Sequence, residues 1–394
     1  MGRPSRFVLT RSERVEQVAM EFTIHHQVLF TVFLISVVMG AVANKTRFCT
    51  MGAVSDWINI GDTGRMRAWL LSMAVAIAGV LILQATGQAA IGTSTFPPYR
   101  TPNFVWLRYA LGGFMFGVGM TLGSGCGSKT LIRVGTGNLK SLVVMGVAAI
   151  FAYLMVWTDF YAKAFHTWLA PMAINLEQYG MRSQGLGDVL AGLTGAADAA
   201  GLDRIAGWVL AAGIALFVFS SKDFRASFDN ILGGCVIGLT VIAGWYLTAG
   251  PIGQAWKDAA EMAEVPPLRV ESQSFTFVSP LADTLHYLLS PTNFSLINFG
   301  IMALTGVVVG SFCYALFTRT FRVEWFANGA DLGNHIVGGM LLGMGGVLAM
   351  GCTVGQAITG VSTLATGSLI TFLAIVAGSA ATMKFQYWRM LREA

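Results

Sequence analysis

The chain has 394 residues, of which 55% are hydrophobic and only 11% charged, with 47 glycines and a formal charge of +5; its mean hydropathy is +0.64. So few charged side chains cannot cover a water-facing surface, which excludes an ordinary soluble globule and places the chain among polytopic membrane proteins. The positive charge is spread over short loops with no dense basic run, so nucleic acid is not an expected partner.

Apolar windows free of charge fall at 27–44, 68–99, 109–128, 141–158, 205–221, 230–256, 287–318 and 336–383. A hydrocarbon core of about 30 Å takes roughly 20 residues of helix, so the last window holds two crossings with a break between them. The reading is an all-α polytopic membrane protein with about nine transmembrane helices. A polar tail, 1–26, precedes the first span and lacks a small-residue cleavage pattern, so that span is expected to stay in the mature protein. The expected organisation is a first membrane repeat at 27–160, an outer polar segment with a linking helix at 161–226, and a second repeat at 227–394. No acid lies inside any window, which argues against a proton relay through buried carboxylates.

Lys45, Arg47, Arg65, Arg67, Arg133, Lys140, Lys222, Arg225, Arg319, Arg322, Lys384, Arg389 and Arg392 collect on one side if the first span enters from outside. The positive-inside bias then predicts an outside N-terminus and a cytoplasmic C-terminus. The tail's Arg3, Arg6, Arg11 and Arg14 pull the other way, although Glu13, Glu16 and Glu21 accompany them.

Two stretches repeat. Gly-Gly-Phe-Met-Phe-Gly-Val-Gly-Met-Thr-Leu-Gly-Ser-Gly-Cys ends at Cys126, and Gly-Gly-Met-Leu-Leu-Gly-Met-Gly-Gly-Val-Leu-Ala-Met-Gly-Cys ends at Cys352. With nine crossings the two run in opposite directions, so the repeat is inverted, as in many transporters. Each thiol sits where a helix breaks at membrane depth, and such breaks are costly unless they face protein or a polar cavity. The residues that follow form short helices whose N-termini attract anions. Cys49, in Asn44-Lys-Thr-Arg-Phe-Cys-Thr-Met-Gly-Ala-Val-Ser-Asp-Trp57, is a third such case.

Arg47 and Lys129 add charge near these thiols, and Gly125, Gly127, Gly351 and Gln356 flank them as candidate binding support. The bland alternative is that the glycines serve helix packing and the basic side chains snorkel to an interface. Cys235 and Cys313 lie inside continuous apolar spans, where a thiol behaves as a small hydrophobe. Thiols so placed can form a disulfide, hold a metal or meet a sulfur-containing ligand. The wide spacing, without Cys-x-x-Cys, does not match zinc or iron–sulfur patterns. A reduced-sulfur anion fits better, since a thiol offers a weak S–H donor while backbone N–H groups hold oxygens. No cofactor is called for.

At 46–57, 123–129 and 350–356 the sequence resembles the YeeE/YedE family of sulfur-compound membrane transporters. The resemblance implies an hourglass of nine helices with four re-entrant central loops, three of them bearing a cysteine. It also implies uptake of thiosulfate across a bacterial inner membrane by relay along Cys49, Cys126 and Cys352, and a TusA-like cytoplasmic sulfur-carrier protein as partner. The fourth loop is expected at 318–326, whose Thr-Arg-Thr-Phe echoes the Cys49 loop without a thiol. The competing reading is a membrane sulfurtransferase or redox enzyme that forms a persulfide on one of the thiols. No His or carboxylate is close in sequence to any of the three, so transport, not catalysis, is the preferred reading.

Overall fold

The computed structural model describes residues 11–393, and the side chains of residues 24–392. Residues 1–10, with Arg3 and Arg6, lie outside the described residues, as do the side chains of Arg11, Glu13, Arg14, Glu16 and Glu21. From Arg11 onward the polar tail is helical and runs without a break into the first crossing. In chain order the principal helices are α1 (Arg11–Lys45), α2 (Thr50–Ile60), α3 (Gly64–Ala85), α4 (Trp106–Leu122), α5 (Gly127–Gly135), α6 (Leu139–Trp157), α7 (Ala199–Phe219), α8 (Phe228–Ala249), α9 (Pro251–Met262), α10 (Val278–Leu289), α11 (Phe299–Phe317), α12 (Gly329–Leu348), α13 (Val354–Gly360) and α14 (Thr366–Glu393). A two-stranded sheet pairing Asn103–Phe104 with Ile174–Asn175 is the sole sheet among the described residues.

Seven helices among the described residues, α1, α3, α6, α7, α8, α11 and α14, are long and apolar enough to cross a membrane. The other two expected crossings are α4 and α12, the glycine-rich helices that stop just before Cys126 and Cys352. Three apolar windows overreach: 86–99, 250–256 and 287–298 are not parts of crossings, because turns and the short helices α9 and α10 occupy them. If nine crossings alternate in direction, α1 starts on one face, the N face, and α14 ends on the other, the C face.

Helix packing is symmetric under exchange of the halves. α1 packs on α11 as α8 packs on α3; α4 packs on α14 as α12 packs on α6; α4 and α12 pack on each other. The same exchange pairs α2 with α10 and α5 with α13, and leaves α7 and α9 without counterparts. The α4–α12 seam shows it at atomic level. A β-carbon placed on Gly112 would lie 2.9 Å from the Gly345 carbonyl oxygen, and one on Gly338 would lie 2.9 Å from that of Gly119. Glycine at these positions lets two backbones touch, which is how helices associate without a hydrophobic driving force between them.

The exchange also locates the fourth central loop, and it is not 318–326. That segment is exposed almost throughout. Its likeness to the Cys49 loop is real but local: α11 ends on Arg319 at φ 56 as α1 ends on Arg47 at φ 52. Beyond that point no helix turns back towards the centre. The counterpart of the Cys49 loop is 272–277, buried along its whole length before α10. Its Ser-Gln-Ser-Phe-Thr-Phe sequence looks like a surface loop, yet the fold provides partners for much of its polar surface. Thr248 Oγ1 accepts from the Gln273 N–H at 2.9 Å and donates to the Gln273 carbonyl at 2.6 Å; Ser274 Oγ donates to the Val241 carbonyl at 2.8 Å; Thr359 Oγ1 donates to the Phe275 carbonyl at 2.7 Å. The loop is further anchored by Arg269, which binds Asp283 on α10 through both carboxylate oxygens at 2.7 and 2.9 Å.

Candidate functional site

The three cysteine loops are built by one local rule. Each preceding helix ends on a residue in the left-handed region: Arg47 (φ 52), Ser124 (φ 56) and Met350 (φ 58). The next N–H bonds back five residues, Phe48 to Ala43 at 3.0 Å, Gly125 to Met120 at 2.9 Å and Gly351 to Gly346 at 2.8 Å. This is the closure of a Schellman cap, which satisfies carbonyls that the helix end leaves free. The residue after that is the cysteine, and it opens the following helix. Cys49 Sγ accepts from the Gly52 N–H and Cys352 Sγ from the Gly355 N–H, each at 3.4 Å. Cys126 Sγ lies 3.4 Å from the Ser128 hydroxyl, with the Lys129 N–H nearby. In the Cys49 and Cys352 loops a thiol thus takes the capping place usually held by a Ser or Asp oxygen, and all three sulfurs sit among the open N–H groups of a helix start.

These loops meet. The Cys49 and Cys126 thiols lie close enough to interact electrostatically, with the Thr50 N–H beside the Cys126 sulfur. From the other half, the start of α10 at Phe277 lies beside the Cys352 sulfur. A β-carbon on Gly127 would lie 3.5 Å from Cys352 Cβ, so the start of α5 adjoins the third thiol. All three cysteines are free and at most 4% exposed. Cys235 and Cys313 are also free, inside α8 and α11.

The supporting residues divide. Lys129 is one turn into α5, in the field of Cys49, Cys126, Arg133 and Arg65, and no carboxylate among the described residues forms an ion pair with it. A largely buried ammonium without a counter-ion is expensive and suits an anion site. Gly125 closes the cap at Ser124, and Gly351 closes the one at Met350. Gln356 is fully buried, its amide donating to the Ala349 carbonyl across the break. Arg47 is exposed at the end of α1, away from the buried thiols. The cation near the Cys49 loop is instead Arg65, whose guanidinium packs on Gly52 and pairs with Asp56. Sequence proximity pointed to Arg47; the return of α3 beside α2 brings Arg65. Arg133 spans the loop from the other side, donating to the Ser124 carbonyl at 2.9 Å.

The family profile described as "Sulphur transport" matches residues 45–381. The thiosulfate transporter TsuA of Escherichia coli (strain K12) is 25% identical over 346 residues, 84% of this chain and 88% of that protein. The thiosulfate transporter TsuA of Spirochaeta thermophila (strain ATCC 700085 / DSM 6578 / Z-1203) is 23% identical over 357 residues, 89% of this chain and 97% of that protein. With the profile covering both repeats and every cysteine loop, the chain belongs to the Sulphur transport (YeeE/YedE) family of membrane proteins.

Proposed function

We propose that the protein carries thiosulfate, or a closely related reduced sulfur anion, through the membrane by passing it between Cys352, Cys126 and Cys49. The observation that carries the reading is the meeting of three free, buried thiols, each at a helix start, at the join of two inverted half-sites. Thiols give weak S–H donors for terminal sulfur, while helix N-termini and Lys129 attract the negative charge. Several weak contacts in series permit both entry and release, where one tight site would trap the ion. The two relatives named as thiosulfate transporters support this choice of anion.

The basic loops favour a cytoplasmic C face and an outside N face, with a bacterial inner membrane as the proposed setting. A TusA-like sulfur carrier would then collect the anion at the C face. The test is uptake of labelled thiosulfate by vesicles holding the wild type, Cys126→Ala or Cys352→Ala at equal membrane levels. Each substitution is expected to abolish uptake, and undiminished uptake by either variant removes the relay. Mass spectrometry of the protein after substrate exposure separates transport from sulfur transfer: accumulation of a persulfide on Cys49, Cys126 or Cys352 would establish the enzyme instead.

A further inference from the structure

We infer that the N-face half of the path carries an uncharged hydroxyl station, formed by Tyr99, Thr276, Thr353 and Ser368, that binds the oxygen end of the anion while Cys352 meets its sulfur end. The inference rests on the transport reading. Each of the four side chains is at most 5% exposed, and the hydroxyl of each is buried without a hydrogen-bond partner. A buried hydroxyl left unpaired is destabilising, so several in one place call for an occupant.

Their placement is not scattered. Thr353 follows Cys352 directly and opens α13. Thr276, in the fourth central loop, packs its hydroxyl on Gly355, and Tyr99 and Ser368 pack on Gly360 at the far end of α13. The Tyr99 phenol is also close enough to Cys352 for the two to interact electrostatically. The hydroxyls therefore flank α13 from the third thiol towards the N face. Among the hydroxyls nearby, those of Thr359, Ser362 and Thr363 are engaged with Phe275, Thr359 and Gly360 at 2.6–2.7 Å, while Thr366 and Thr371, on the same helix as Ser368, are also unpartnered.

Charge does not explain the site. Arg100, the cation next to Tyr99 in the chain, is taken by Asp203 at 2.9 Å and Asp188 at 3.5 Å. The carbonyl oxygen of Gln356 is also unpartnered, but it is an acceptor and would repel an oxyanion. The rotatable O–H donors are the groups that suit one. A sulfonate-like head with three acceptor oxygens, its terminal sulfur turned to a thiol, matches this arrangement of neutral donors followed by Cys352.

The experiment uses the full-length protein in vesicles and compares Thr276→Val, Tyr99→Phe and Ser368→Ala with Thr276→Ser. Each of the first three is expected to raise the KM for thiosulfate about five- to tenfold, the loss of one neutral hydrogen bond, with maximal rate within about twofold. Thr276→Ser should keep the wild-type KM. Thermal unfolding should be unchanged or slightly higher in Thr276→Val, because an unpaired hydroxyl has been removed; a purely structural hydroxyl would give a lower Tm. Wild-type uptake with an unmoved KM in Tyr99→Phe and Thr276→Val overturns this inference alone, as does a lowered Tm in Thr276→Val with unmoved KM in the other two. A wild type that takes up no thiosulfate overturns the transport reading, and the station with it.

Discussion

The C-face and N-face halves of the centre share one backbone and carry different chemistry. In both, a Schellman cap two residues before the thiol turns the chain, and the sulfur sits beside the N–H three residues on. That third residue is Lys129 in one half and Gly355 in the other, and the room left at Gly355 is filled by Thr276. One half therefore holds a cluster of cations, Lys129 with Arg65 and Arg133, and the other holds neutral hydroxyls. The symmetry provides two helix breaks that face each other, which keeps irregular backbone off the lipid. If the two halves form one path, as proposed, an anion entering from the N face would move from neutral donors to cations.

The largest effect should come from separating the halves. Gly127 is where they touch, its side of α5 lying against Cys352. Gly127→Leu should abolish thiosulfate uptake with the protein still in the membrane. Gly127→Ala should retain most of it, since a methyl would sit at an ordinary 3.5 Å from Cys352 Cβ. Equal uptake by both variants, measured with labelled ion in vesicles, would mean the two thiols lie on separate routes.

Removing the charge difference comes next. Lys129→Met should reduce uptake about 100-fold, the scale of losing one desolvated charge contact to the anion. Because the ammonium has no carboxylate partner, the same variant should unfold at an equal or higher temperature. Loss of both uptake and stability would make Lys129 a structural residue. Arg65→Met should cost less, about tenfold, since its side chain is 34% exposed and already paired with Asp56. Arg47→Ala should leave uptake within about twofold, because Arg47 is exposed. A larger loss for Arg47→Ala than for Arg65→Met, read from the same uptake assay, would reverse the placement of the inner cations.

How much of this could be read from the chain follows from what each signal depends on. The crossings were legible because a charge-free run of about 20 residues is rarely anything but a membrane span. The Cys126 and Cys352 loops were legible because a glycine pattern recurs in front of each thiol. The loop at 272–277 was not: its hydroxyls suggest water, and its burial depends on Thr248, Val241 and Thr359, which belong to other helices. The echo at 318–326 misled because Thr-Arg marks a helix end in both places, and a helix end is compatible with either a central or a surface loop. Arg65 was hidden for a similar reason. It lies sixteen positions after Cys49, and only the return of α3 beside α2 carries it to Gly52. Hydroxyls without partners cannot be foreseen at all from one sequence, since satisfaction is a property of the packed state.

The smallest effect tests whether the shared backbone itself is under strain for function. Ser124 and Met350 occupy matched left-handed positions two residues before Cys126 and Cys352. For residues with a β-carbon this conformation costs of order 1 kcal/mol, a cost glycine does not carry. If the conformation serves only to turn the chain, Ser124→Gly should raise the Tm by about 2 °C, whereas Met350→Gly should lower it, because a largely buried side chain is lost as well. Both should leave KM and maximal uptake unchanged, because the caps they belong to have the same hydrogen bonds. Should Met350→Gly alone slow uptake, the N-face loop would be using its side chain, 8% exposed beside Cys352, to do more than turn, and the equivalence of the two backbones would end at that residue.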